Sequence, residues 1–151
     1  MCLNCCPASP WLQNVNNYLN NNQQNSVEKE AVNFLFSNCY CGINNCVKLE
    51  DIVNYINGLG IYGKYDVISF QQGILRNLKR QGMVATIAKP GGGAFIPCDV
   101  QEVRDYTKQV LERVEKELFN MQGIYGLVGN QANNQQLQQI NQSIGRLKQV
   151  I

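Results

Sequence analysis

The sequence of 151 residues contains no histidine. Histidine is the commonest general base and proton shuttle near neutral pH. Its absence excludes a Ser-His-Asp or Cys-His catalytic set, and it limits any zinc site to cysteine ligands, alone or with carboxylates. No phosphate loop or nucleophile elbow is recognisable, and the glycine run 91–93 is too short and too close to Pro90 for a nucleotide loop. We therefore predict that the protein is not an enzyme.

Charged residues and long apolar runs are also scarce. Only 16% of the residues are charged, below the usual quarter, while Asn and Gln together make up about a quarter of the chain. No run of 18 apolar residues is present, which argues against a membrane span. The N-terminus lacks the basic and apolar regions of a secretory signal. We expect a cytoplasmic protein with no membrane partner.

The net charge of +2 is too small to indicate a nucleic-acid partner, but the charge is unevenly distributed. The stretch from residue 64 to residue 89 contains a single acid, Asp66, and five basic residues: Lys64, Arg76, Lys79, Arg80 and Lys89. A local basic surface is the feature that DNA binding requires. The alternative is a basic helix face that is only solvated.

The spacing of apolar residues predicts a series of helices. We expect a short helix over 11–19, a second beginning after an N-cap at Ser26, and a third over 49–56, followed by a long connection. Ser69 and Gln72 form a capping-box pattern for the next helix, although a start near Asp66 is the alternative. Its apolar stripe is Phe70, Ile74, Leu75 and Leu78, and Gly82 ends it.

Two short apolar stretches after Gly82 predict a β-hairpin. The segments 83–88 and 94–97 are separated by the turn Lys89-Pro90-Gly91-Gly92-Gly93. The order helix, helix, helix, strand, glycine-rich turn, strand over 26–97 resembles the winged helix-turn-helix family of DNA-binding regulators. The local match runs from Ile74 to Ile96. The PadR-like members of that family carry C-terminal helices that dimerise, which this chain matches in outline.

The resemblance implies a fold that is mainly α with a small β-hairpin wing, followed by a C-terminal helical dimerisation segment. The predicted domains are an arm and short helix (1–25), a winged-helix domain (26–98) and C-terminal helices (99–151). In such a fold the apolar stripe of the helix before the hairpin faces the core and the polar side of that helix faces the major groove. Glycines in the wing let its backbone approach the sugar-phosphate chain. The candidate DNA-binding residues are Lys64, Gln72, Arg76, Asn77, Lys79, Arg80, Lys89, Gly91 and Gly92.

The C-terminal third contains two apolar seams. Asp99, with Glu102 three residues later, is expected to cap a long helix up to Met121, and a second helix follows a polar linker. Spacings of three and four residues along both helices are typical of a helix-pairing seam. Packing on the winged domain is the alternative for the first seam, and folding back on the long helix is the alternative for the second. The candidate dimerisation residues are Val110, Val114, Leu118, Leu137, Ile140, Ile144 and Leu147.

Seven cysteines fall in three places: Cys2, Cys5 and Cys6; Cys39, Cys41 and Cys46; and Cys98. The spacing of the first group is typical of metal ligands. Four interpretations remain open for Cys5, Cys6, Cys39, Cys41 and Cys46: a structural zinc site, disulfides between the arm and the first inter-helix loop, a redox switch, or free thiols. Cys98 is expected to be simply buried.

Together these features predict a homodimer that binds double-stranded DNA in a sequence-specific way, in transcription regulation or in plasmid or viral DNA maintenance. No cofactor is expected apart from the zinc alternative. The competing function is a protein-interaction adaptor that uses the winged-helix fold only as a scaffold. The basic helix before the hairpin favours DNA binding, whereas the low net charge is compatible with the adaptor.

Overall fold

A computed structural model of the chain describes residues 6, 8–87, 90, 93–128 and 134–150. Most of these residues are helical, and one antiparallel hairpin accompanies the helices, so the prediction of a mainly α fold with a small β-hairpin is confirmed. The helices are α1 (Pro10–Asn21), α2 (Val27–Ser37), α3 (Leu49–Gly58), α4 (Val67–Phe70), α5 (Arg76–Arg80), α6 (Val100–Val128) and α7 (Asn134–Val150). The strands are β1 (Ala85–Ile87) and β2 (Gly93–Phe95).

Serine side chains begin the first two helices. The Ser26 hydroxyl accepts a hydrogen bond from the Lys29 N–H at 3.1 Å, which confirms the predicted cap of α2. Ser9 caps α1 in the same way, and its buried hydroxyl also donates to the carbonyl of Pro97 at 2.7 Å. This second bond ties the start of α1 to the residues that follow β2.

The helix from Val67 to Arg80, called the α4–α5 helix below, contains a π turn over Gln71–Leu75. Phe70 and Leu75 are both fully buried although they are five residues apart. In a regular α-helix that spacing would separate them by about 140°, and the wider π turn brings them to the same side. Ile74, predicted to face inward with Leu75, is only half-buried for the same reason.

The predicted capping box at the start of this helix is wrong. The box is formed by Asp66 and Ser69, because the Asp66 carboxylate accepts from the Ser69 N–H at 2.7 Å. The Ser69 hydroxyl in turn accepts from the Asp66 N–H at 3.2 Å. The alternative start near Asp66 is therefore the correct one. At the other end, Gly82 adopts a φ of +68°, which confirms it as the residue that terminates the helix.

A third segment of the chain pairs with the hairpin, which the sequence did not predict. We call this segment, residues 41–47, the loop edge. β1 pairs with β2 in the register Ala85↔Phe95, Thr86↔Ala94 and Ile87↔Gly93. On its other side, β2 and the residue after it meet the loop between α2 and α3 through the bridges Val47↔Ala94 and Cys41↔Ile96. The loop, which contains a short 3-10 turn at Ile43–Asn45, therefore continues the sheet.

The hairpin, the loop edge and the first helices enclose one apolar core. Its fully buried side chains come from α1, α2, α3, the α4–α5 helix and the end of the hairpin: Leu12, Val15, Val32, Leu35, Ile52, Ile56, Phe70, Leu75, Leu78 and Ile96. Burial of this apolar surface is the main stabilising contribution to the domain.

By its internal contacts the chain divides into two units, Met1–Val103 and Arg104–Ile151. In the second unit α7 packs back on α6 in the antiparallel sense. Gln122 Nε2 donates to Asn141 Oδ1 at 2.7 Å, and Lys148 Nζ lies 5.3 Å from the ring centre of Phe119. α6 continues through Gly123 and Gly126 to Val128, beyond the end that was predicted at Met121. Among the described residues, no helix is both long and apolar enough to span a membrane.

Candidate nucleic-acid interface

The α4–α5 helix separates an apolar side from a polar one. Phe70, Leu75 and Leu78 are buried. The side chains of the opposite surface are exposed at Gln72, Arg76, Asn77 and Arg80, whereas Lys79 is half-buried. Asn, Gln and Arg are the side chains that can form paired hydrogen bonds with base edges. The structure therefore brings the predicted helix residues together on one accessible surface, which we call the polar helix face.

The backbone around this helix is fixed by polar side chains from other elements. Asn57, at the end of α3, donates through Nδ2 to the Tyr65 carbonyl at 2.8 Å and accepts from the Tyr65 N–H at 2.9 Å. Asn14 of α1 donates to the carbonyl of Gln81 at 3.3 Å. The long connection before the helix and the turn after it are thus both held against the domain.

Between residues 64 and 80 the charged side chains are basic with one exception. Lys64, in the connection before the helix, is exposed. Within the described part of the chain, no acid forms an ion pair with Lys64, Arg76 or Arg80. The acid is Asp66, whose pKa is lowered because its carboxylate accepts a hydrogen bond from the Ser69 backbone. Asp66 therefore remains charged at neutral pH.

The predicted hairpin turn contains Lys89, Gly91 and Gly92, which lie outside the described residues. Gly93 begins β2 beside the loop edge, and a β-carbon at Gly93 would lie 3.1 Å from Cys46 Sγ. Close approach of this edge to β2 therefore favours glycine at that position.

The cysteine arrangement corrects one prediction. Cys6 and Cys98 form a disulfide between the N-terminal arm and the residue that follows the hairpin. Cys98 is therefore not simply buried, because a disulfide joins it to Cys6 of the arm. Cys41 is also disulfide-bonded, whereas Cys39 keeps a free thiol.

The zinc alternative stays a prediction, since Cys5 lies outside the described residues. Among the residues that the structure describes, no group of three or more potential ligands is arranged around a metal position. Of the proposed ligands, Cys6 and Cys41 are engaged in disulfides.

The Glu102 carboxylate, to which the sequence analysis gave only a role in capping α6, connects the residues around Cys98. Glu102 accepts from the Ile43 N–H at 2.9 Å and from the Cys98 N–H at 2.8 Å. The predicted cap of α6 is confirmed, because Asp99 accepts from the Glu102 N–H at 2.9 Å. Glu102 therefore joins the inter-helix loop, the disulfide and the start of α6. Its hydrogen bond to Ile43 of the loop depends on tertiary structure, which the local pattern Asp-x-x-Glu does not reveal.

The candidate dimerisation residues fall into three groups by exposure. Ile140 and Ile144 are buried within the chain itself. Val114 is 41% exposed. The remaining four are half-buried: Val110, Leu118, Leu137 and Leu147. For the second seam, the sequence left open whether α7 folds back on α6 or pairs with another chain. In the structure α7 folds back on α6. Val114, Met121 and Ile124 leave an exposed apolar stripe on α6.

A comparison of the sequence with known proteins shows its family. No protein-family profile matches the chain, and no solved structure matches it. A protein of the archaeon Methanocaldococcus jannaschii described as "Putative control protein C.MjaVP" is 40% identical to it over 130 residues, which cover 80% of this chain and 78% of the relative. At this identity and coverage, the chain belongs to the family of that archaeal control protein.

Proposed function

We propose that the protein is a regulator of transcription that binds double-stranded DNA in a sequence-specific way, as a homodimer. The observation that carries this proposal is the polar helix face, on which Gln72, Arg76, Asn77 and Arg80 are exposed. The buried side of the same helix fixes their position. The M. jannaschii relative is named a control protein, which favours regulation over DNA maintenance.

Each part of the DNA-binding unit has a separate role in the proposal. The helix face reads base edges in the major groove. Lys64 and Lys89 contact phosphates, and Gly91 and Gly92 let the backbone of the hairpin tip approach the sugar-phosphate chain. Phosphate contacts give affinity for any sequence and make it depend on salt.

Dimerisation uses the second unit. A single winged-helix unit reads one half-site, and a two-fold dimer doubles the contacts. The exposed stripe Val114, Met121 and Ile124 supports this step, because its heptad-like spacing is typical of a helix-pairing surface.

The proposal is tested by selecting sites from a random double-stranded DNA library with the full chain, then measuring affinity by fluorescence anisotropy at several salt concentrations. Arg76→Ala and Arg80→Ala should each weaken binding to the selected site by about 1–3 kcal/mol. Lys64→Ala should weaken binding to all sequences alike and flatten the salt dependence by about one phosphate contact.

Arg104→Ala is the matched control, since it removes the same charge from an exposed position on α6. It should leave sequence preference unchanged. Selection of no sequence, or unchanged affinity in the Arg76 and Arg80 variants, would contradict the proposal and favour the protein adaptor.

A further inference from the structure

One apolar side chain lies on the exposed surface of the α4–α5 helix. Ile68, in the first turn, is 65% exposed. The other large apolar residues of this helix are buried or half-buried: Val67, Phe70, Ile74, Leu75 and Leu78. Ile68 precedes Gln72 by four residues, so the two occupy neighbouring positions on the helix surface. The sequence analysis did not place Ile68 among the DNA-binding residues.

We infer that Ile68 is a specificity-determining residue that contacts the 5-methyl group of a thymine in each half-site. This inference rests on the proposed function. The thymine methyl is the only apolar group that base pairs present in the major groove. The N-terminal residues of a recognition helix are those that contact base edges, and Ile68 is the second residue of this helix.

The surroundings of Ile68 favour a base over the DNA backbone as its partner. Asp66 stands directly before α4, is exposed and carries its charge at neutral pH. A carboxylate at this end of the helix repels phosphates, which orients the first turn away from the sugar-phosphate chain. The reciprocal hydrogen bonds of Asp66 and Ser69 also hold that turn in one conformation.

The neighbouring side chains point to the same kind of partner. Gln72 is exposed and can form a paired contact with adenine. Arg76 and Arg80 give this surface the positive charge that DNA attracts. An apolar side chain within a basic, amide-bearing surface thus fits a thymine methyl group better than it fits an apolar protein surface.

The experiment uses the full chain and the site that it selects from the random library. Each thymine of that site is replaced in turn by deoxyuridine, which removes only the 5-methyl group. For the unmodified chain, we expect one thymine per half-site at which this replacement lowers affinity roughly three- to fivefold, as burial of one methyl group predicts. Ile68→Ala should lose this methyl dependence while its thermal midpoint stays unchanged.

Ile61→Ala is the matched control, because Ile61 is 68% exposed but lies in the connection before the helix. It removes the same atoms and should keep the methyl dependence. Equal sensitivity to deoxyuridine in the Ile68→Ala variant and the unmodified chain would overturn the inference, as would a site with no methyl-dependent thymine. In both cases sequence-specific binding itself would survive. Selection of no DNA sequence would overturn the proposed function and this inference together.

Discussion

The side-chain amide of Asn57 pairs with both the N–H and the carbonyl of Tyr65, eight residues further along the chain. The amide imitates a backbone partner and closes the connection between α3 and the α4–α5 helix. Because both residues are half-buried, water replaces these bonds poorly. The first turn of the α4–α5 helix, which we propose contacts the bases, therefore depends on a residue of α3.

Asn57→Ala should lower the free energy of unfolding by about 1–2 kcal/mol, since it removes two hydrogen bonds of about 0.5–1.5 kcal/mol each. It should also weaken DNA binding. Asn54→Ala is the matched control, because Asn54 is an exposed residue of the same helix, and its effect should stay within about 0.5 kcal/mol. Urea titration measures both values, and equal stabilities of the two variants would contradict the role assigned to Asn57.

The Asn57–Tyr65 pair also shows which features could be predicted from the sequence. The sequence predicted a helix over 49–56, and α3 ends at Gly58, close to that prediction, because helix termination is a local property. Which backbone groups the Asn57 side chain meets depends on the path of the chain eight residues later, which no local pattern specifies. The bridges between the α2–α3 loop and the β2 side of the hairpin could not be predicted for the same reason.

The start of the α4–α5 helix illustrates a different limit. Asp66-x-x-Ser69 and Ser69-x-x-Gln72 both read as caps, and local chemistry does not separate them. The core decides between them, because a helix beginning at Val67 buries Phe70 within its first turn. The π turn then allows Leu75 to join Phe70 in the core, and a regular 3.6-residue period cannot predict that change.

The Cys6–Cys98 disulfide predicts a large effect of reduction on stability. It closes a loop with a sequence separation of 92 residues, and loss of a native disulfide costs about 2–5 kcal/mol. Cys98→Ser should therefore lower the thermal midpoint clearly. Cys39→Ser changes a free thiol and serves as the control. The disulfide assignment would be wrong if peptide mass mapping found Cys6 alkylated without prior reduction.

Asp66 predicts a specific dependence of stability on pH. Its pKa in the folded chain lies below the ordinary value of 3.8, because the Ser69 backbone N–H donates to its carboxylate and the Ser69 hydroxyl adds a further favourable interaction. A lowered folded-state pKa contributes stability that is complete above pH 3.8 and is lost as the pH falls through the folded-state value. The charged form is also favoured at the start of a helix.

We therefore expect the unmodified chain to have a higher thermal midpoint than Asp66→Asn at neutral pH. The gap should narrow as the pH falls below 3.8, since protonated Asp66 loses its charge while the amide of the variant remains a neutral cap at every pH. Calorimetry of both proteins between pH 7 and pH 2 measures this difference in thermal midpoint. A gap that persisted unchanged at pH 2 would show that the carboxylate charge contributes nothing.

The exposed stripe of α6 gives the sharpest test of the proposed dimer. Val114 and Met121 are 41% and 44% exposed and lie seven residues apart, on one side of the helix. Changing both to Asp should convert a dimer to a monomer in sedimentation at tens of micromolar, with the helix content retained and the DNA affinity lowered. Val150→Asp, at a residue that is 69% exposed on α7, should leave the dimer intact.

The buried pair Ile140 and Ile144 is expected to behave differently. Both lie in the packing of α7 on α6, so an Asp at either place would bury a charge and melt this helix pair. Circular dichroism would then show a lower helix content for these variants. The variant with Asp at Val114 and Met121 would keep its helix content. The distinction matters because loss of the dimer through unfolding would say nothing about the interface. A monomeric unmodified chain under the same conditions would refute the dimer, since the exposed stripe would then have no partner.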